Sequence, residues 1–172
     1  MKILALDPAL RTGFAHSNGQ RGVWLLSSDP AEHPGLRMLR LCGFIRDAYK
    51  AWGFAKLACE DAGFGSRNPA VQALHNELRG AIKGTAAELG VPVVLYVPST
   101  IKLHTTGSGR ATKDQMMAAV RTMYGVTCTD DNVADAVAIL KMAEAGVRPP
   151  HEVRQRVLAN RRKTKRREPK LF

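Results

Sequence analysis

The sequence predicts an α/β fold built on a five-stranded mixed sheet flanked by helices. Three observations carry that expectation. Short apolar runs at residues 3–6, 57–59 and 93–97 alternate with longer stretches of helical period, the order that yields parallel pairing. Asn18-Gly19 divides two further strand-like runs, a strong short-range hairpin signal. An apolar content of 45% over 172 residues suits one domain with a sizeable core.

The elements follow in order. Residues 2–7 read as a buried strand, and residues 12–16 and 22–26 as a hairpin whose two turn residues both take positive φ. Residues 29–34 are a loop. Leu36, Leu39, Phe44 and Ile45 lie on a helical stripe running to about Trp52. Residues 55–60 form the fourth strand, and residues 62–68 a Gly-rich loop. Asn68 then caps a helix with Pro69 at its first position, ending at Leu89 before Gly90. Residues 93–97 are continuously apolar, as in a strand covered on both faces. Residues 98–106 read as a short helical turn and loop. Thr112-Lys113-Asp114-Gln115 is a capping box for a helix that stops at Gly125. Residues 131–145 form the last core helix, ended by Gly146 and Pro149-Pro150. The chain thus divides into a folded domain, 1–150, and a tail, 151–172.

Charge sets the tail apart. The net charge is +11, and residues 151–172 hold nine of the 26 Lys/Arg but only two of the 15 Asp/Glu. A polyanion, nucleic acid first of all, is the natural partner for such a segment. The chain enters its first strand at Lys2, leaving no room for a targeting peptide, and no apolar run reaches membrane-spanning length. A cytoplasmic protein with no membrane partner is expected. Cys42, Cys59 and Cys128 are an odd number with no CxxC spacing, which argues against a disulfide framework and a zinc site.

The chemistry rests on three acids far apart in sequence. Asp7 ends the first strand, Glu60 ends the fourth, and Asp135 lies on the last core helix. Sites in open α/β sheets lie at the carboxyl ends of the strands. Carboxylates on rigid elements suit Mg²⁺, which prefers carboxylate, water and phosphate oxygens. Two such ions activate a water and stabilise a leaving 3′-oxygen. Asp131 and Asn132 lie four and three residues before Asp135, so either shares a helix face with it. Asp130 is better explained as a helix cap. Lys102 and Lys113 flank the loop Gly107-Ser108-Gly109-Arg110, basic groups of the kind a phosphate substrate requires. Phe64, between two glycines just past Glu60, is placed to stack on a base.

These residues resemble a known family. ILALDPALRTGFA, CEDAGFG with NELRGAI, VPSTIKLHTTGSGRATKDQM and DDNVADAVAIL stand in the order of the RuvC-like Holliday junction resolvases, over roughly residues 2–145. That family belongs to the RNase H-like, or integrase-like, superfamily. The resemblance implies an Mg²⁺-dependent nuclease, with Mn²⁺ as a substitute, that cuts branched DNA as a homodimer. It implies metal ligands at Asp7, Glu60 and Asp135 and basic active-site residues at Lys102 and Lys113. Phe64 falls one residue from the family's stacking aromatic. Where the family has an acid or histidine three residues before its last acid, this chain has Asn132, with Asp131 as the neighbouring substitute. Asp131 is therefore counted with the catalytic acids, and both are candidate ligands. This departure is closer to phage-type members, so the enzyme is expected to act in a bacterial cytoplasm, encoded by the cell or by a phage. Candidate DNA contacts are Phe64, Arg67, Arg110 and the tail cations Arg161, Arg162, Lys163, Lys165, Arg166 and Arg167.

Two other readings keep part of this picture. The opening Asp-Pro-x-x-Arg-Thr-Gly is also similar to YqgF-like nucleases, which act on RNA. A binding-only nucleic-acid protein suits the tail but not the acids, since carboxylates near phosphate weaken binding unless metals neutralise them. An actin-like phosphotransferase is excluded by length and by the lack of a second phosphate loop.

Overall fold

The computed structural model describes residues 1–29, 31–61 and 68–149. Five strands form one sheet: β1 (Ile3–Asp7), β2 (Arg11–His16), β3 (Arg21–Leu25), β4 (Lys56–Glu60) and β5 (Val93–Tyr96). Their order is β3-β2-β1-β4-β5. β1 runs antiparallel to β2 and parallel to β4, and β4 runs parallel to β5. β1 is thus central, and β1, β4 and β5 present their carboxyl ends together.

Side-chain alternation divides the core in two. Leu4, Leu6, Leu57 and Cys59 face one layer, which is filled by Leu41, Ile45, Leu78 and Ile82 of α1 (Pro34–Trp52) and α2 (Pro69–Glu88). Ile3, Ala5, Ala15 and Ala58 face the other layer. There they meet α3 (Pro98–Thr106), α4 (Lys113–Tyr124) and above all α5 (Asp131–Glu144), whose Ala134, Ala136, Ala138 and Ile139 are fully buried. Small residues on both sides let α5 lie close against β1 and β2.

The predicted caps are present. The Asn68 side chain accepts from Ala70 N, and Thr112 and Gln115 form a reciprocal capping box. Cys59 is a buried thiol in the strand; burial pushes it up to about 12, far from the reactive range.

Two expectations are corrected. In the hairpin turn only Gly19 takes positive φ, +93°, and Asn18 does not. Gly19 N donates to His16 O, and His16 N to Gln20 O, so Ser17-Asn18-Gly19 is a three-residue loop with the glycine last. Residues 98–106 form a full nine-residue helix, because Ile101 and Thr105 bury one face of it. Among the described residues, no helix is long and apolar enough to cross a membrane.

Candidate active site

The alternation that divides the core also aims the acids. Asp7 continues the Ile3–Ala5 series and Glu60 continues from Ala58, so both point to the α5 layer. Asp131 and Asp135, one turn apart, stand on the first half of α5. The four carboxylates share one electrostatic environment. Burial, then the fields of Glu60, Asp135 and Asp131, hold the Asp7 carboxyl well above the usual range. Burial and Asp135 raise Glu60 to about 7. Burial and Asp131 raise Asp135 to about 6. Carboxylates crowded at the end of buried strands are costly as bare anions and are satisfied by a cation.

Two lysines border the cluster. Lys102 of α3 opposes the rise at Glu60 and at Asp135. Lys113, the first residue of α4, donates to Asp131 Oδ2. The Lys113 ammonium is itself raised by that hydrogen bond. Arg110 lies exposed in the loop just before α4.

The donor set fits a hard divalent cation. Its candidate donor atoms are carboxylate oxygens, with no thiol or imidazole beside them among the described residues. Among the described residues, no three His, Cys, Asp or Glu side chains are grouped closely enough to cage an ion alone. Mg²⁺ does not need such a cage, since it keeps several waters and is completed by substrate phosphate.

Asn132 and Asp131 both stand close to Asp7 at the start of α5. The Asn132 backbone lies on β2, where a Cβ on Gly13 would stand 1.9 Å from Asn132 O. Gly13 is the register partner of Asp7. The Asp131 carboxyl instead adds to the field at Asp7 and Asp135. Asp130 is the helix cap, accepting from Asn132 N at 2.9 Å. It also accepts from Arg11 Nη2 at 2.8 Å.

Sequence reasoning missed Asp61. Its parity is opposite to that of Glu60, so it points into the α1–α2 layer, where Arg79 of α2 pairs with it. Asp61 N also donates to Tyr96 O at 2.8 Å, extending the β4–β5 ladder past Glu60. The adjacent acids of Cys-Glu-Asp carried the signal, because neighbours in a strand face opposite ways. Phe64 and Arg67, and Arg161, Arg162, Lys163, Lys165, Arg166 and Arg167, lie outside the described residues.

A β3-β2-β1-β4-β5 sheet with acids on its two central parallel strands and on the helix that crosses them defines an RNase H-like nuclease domain. Comparison with known proteins specifies which. Residues 3–142 match the model of the family described as crossover junction endodeoxyribonuclease RuvC. The RuvC of Rhodospirillum rubrum is 34% identical over 147 residues, covering 81% of this chain and 86% of that one. The RuvC of an Anaeromyxobacter species is 34% identical over 146 residues, covering 81% and 70%. The chain belongs to the RuvC family of crossover junction endodeoxyribonucleases. Its fold agrees with a Thermus thermophilus RuvC structure at a TM-score of 0.67 and 25% identity, covering 85% of this chain and 97% of that one. T. thermophilus RuvC in complex with a Holliday junction substrate aligns at a TM-score of 0.69 and 23% identity, covering 81% and 90%.

Proposed function

We propose that this enzyme resolves four-way DNA junctions by Mg²⁺-dependent, paired phosphodiester cleavage as a homodimer. The observation that carries the site is the placement of Asp7 and Glu60 at the carboxyl ends of paired parallel strands on the face that α5 covers with Asp131 and Asp135, where Lys113 donates to Asp131. Family membership and the junction-bound relative support the substrate.

In this reading Asp7, Glu60, Asp131 and Asp135 would hold the metal, Asp7 from the central strand β1. Bound divalent cations supply Lewis-acid activation of a water and charge stabilisation of the leaving 3′-oxygen. The chain supplies the rest. Asp7 and Glu60 keep fixed directions because buried strands carry them. Lys102 offsets the negative field that the scissile phosphate must enter. Lys113 holds the Asp131 carboxylate and presents its remaining ammonium hydrogens towards solvent, where DNA arrives. Arg110 and the tail cations of residues 151–172 contribute phosphate contacts that do not depend on sequence.

The test is Asp7→Asn, which removes the charge and keeps the shape. Junction binding is retained and cleavage in Mg²⁺ falls by at least about a hundredfold, since this carboxylate acts on the reacting centre (about 2.7 kcal/mol or more). Duplex, fork and RNA-hybrid substrates serve as controls. Cleavage near the wild-type rate would remove Asp7 from the mechanism, and preferential cutting of structured RNA would move the substrate to RNA.

A further inference from the structure

We infer that Arg11 is a positioning residue for the metal site, acting through Asp130 to fix the start of α5 over Asp7. The inference rests on the metal-site reading above. Arg11, Gly13 and Ala15 alternate along β2 and share its α5 face; Ala15 belongs to the core on that side. Each has a distinct part in seating the helix. Ala15 packs beneath it. Gly13, paired in register with Asp7, admits the Asn132 backbone where any Cβ would collide. Arg11 reaches to the helix end, donating to Asp130 Oδ2 at 2.8 Å across 119 residues of sequence.

Asp130 thus serves two groups with different oxygens. Oδ1 accepts from Asn132 N and caps the helix, while Oδ2 accepts from Arg11. The next residue is Asp131, and Asp135 follows one turn later. Fixing the cap to β2 therefore fixes the height and rotation of both carboxylates relative to Asp7. The Arg11 side chain is 60% exposed, so the pair adds little to global stability. Its effect belongs in the geometry of the ligands, as for outer residues that orient metal-binding side chains.

Charge and position predict opposite signs for Arg11→Met, which makes the inference testable. Arg11→Met removes a positive charge near the cluster, and Asp130→Asn removes a negative one while keeping a capping side chain. If only the field mattered, Arg11→Met would weaken cation repulsion and tighten binding, and Asp130→Asn would weaken binding. If the pair positions α5, both weaken it, and the double variant is no worse than the weaker-binding single one. The experiment is calorimetric titration of the full chain with Mn²⁺ alone, beside thermal unfolding in EDTA, with Asp7→Asn as control. We expect each single variant to raise the Mn²⁺ dissociation constant about three- to tenfold, below the 10–100-fold typical of groups touching a ligand directly. Midpoints in EDTA should stay within about 2 °C, as for an exposed pair. Opposite signs, changes under about twofold, or affinity that falls in step with the unfolding midpoint would each overturn the inference. A wild-type protein that binds Mn²⁺ no better than Asp7→Asn would overturn the metal-site reading itself, and this inference with it.

Discussion

Glu60→Gln should make the metal-free protein more stable, even as it removes a carboxylate proposed to hold the metal. The Glu60 carboxyl is raised from 4.5 to about 7, first by burial and then by Asp135. A carboxyl held above its unfolded value stabilises the fold only while it is protonated. That stability is fully present below the unfolded value and is lost as pH rises through the folded one. Each pH unit between the two values is worth about 1.4 kcal/mol, so by pH 8 the ionised group costs about 3 kcal/mol. Gln keeps the shape and carries no charge. In EDTA at pH 8 the variant should therefore gain about 3 kcal/mol, or roughly 6–12 °C in midpoint for a chain of this size. The gain should fall below about 1 kcal/mol by pH 5 and to a few tenths by pH 4.

The assay is thermal and urea unfolding of wild type and variant across pH 4–8, with and without millimolar Mg²⁺. Magnesium should raise the wild-type midpoint at pH 8 and raise that of the variant much less, because binding to the folded state alone stabilises it. A variant that loses stability at pH 8, or gains equally at pH 4 and pH 8, would refute the idea that crowded carboxylates set the stability of the free protein.

Further outcomes follow from the same geometry. Asp131→Asn should reduce Mg²⁺-dependent cleavage at least as much as Asn132→Ala, measured as single-turnover rates; the reverse ranking would make Asn132 the ligand and Asp131 only the partner of Lys113. Gly13→Ala should destabilise the chain by about 1–3 kcal/mol or more in urea titrations, since its Cβ meets backbone and not a movable side chain. Deleting residues 152–172 should leave the fold intact and lower the log–log salt slope of junction binding by about 0.9 for each phosphate that the tail neutralises; an unchanged slope would show that the tail does not touch DNA. Light scattering at micromolar concentration should report a dimer, and end-labelled junctions should show paired nicks at symmetric positions, as a two-fold assembly requires. A monomer making single nicks would point to a flap or fork nuclease.

Much of the fold was legible because its signals are local. The Asn68 cap, the Thr112–Gln115 box and the Gly125 stop each depend on a few neighbouring residues, and each is found in place. The hairpin was legible but its turn was not. Asn-Gly allows two loop lengths, and the choice was made by the β2–β3 register, where Ala15 faces Arg21. α3 was under-read because Ser99, Thr100, Thr105 and Thr106 are weak helix formers. Burial of Ile101 against the α5 layer outweighs that propensity, a tertiary effect that a window of sequence does not contain. On α2, Leu78 and Ile82 are buried in the core, and Val71 stays exposed near the helix start.

The site was legible for a different reason. Once Asp7 and Glu60 are strand ends, period two decides which layer each carboxylate enters, and the same rule sends Asp61 the other way to Arg79. That the last apolar helix covers this face follows from the small residues Ala5, Ala15 and Ala58 on it. The Arg11–Asp130 link was not legible, because nothing near either residue announces a partner 119 positions away. Rigid strands set the direction of two acids from local pattern alone. The other two take their positions from how a helix is seated, and that seating depends on one glycine and one exposed ion pair. Changes on β2 that never touch a ligand should therefore alter the cluster, whereas equally conservative changes on the outer face of α1 should not.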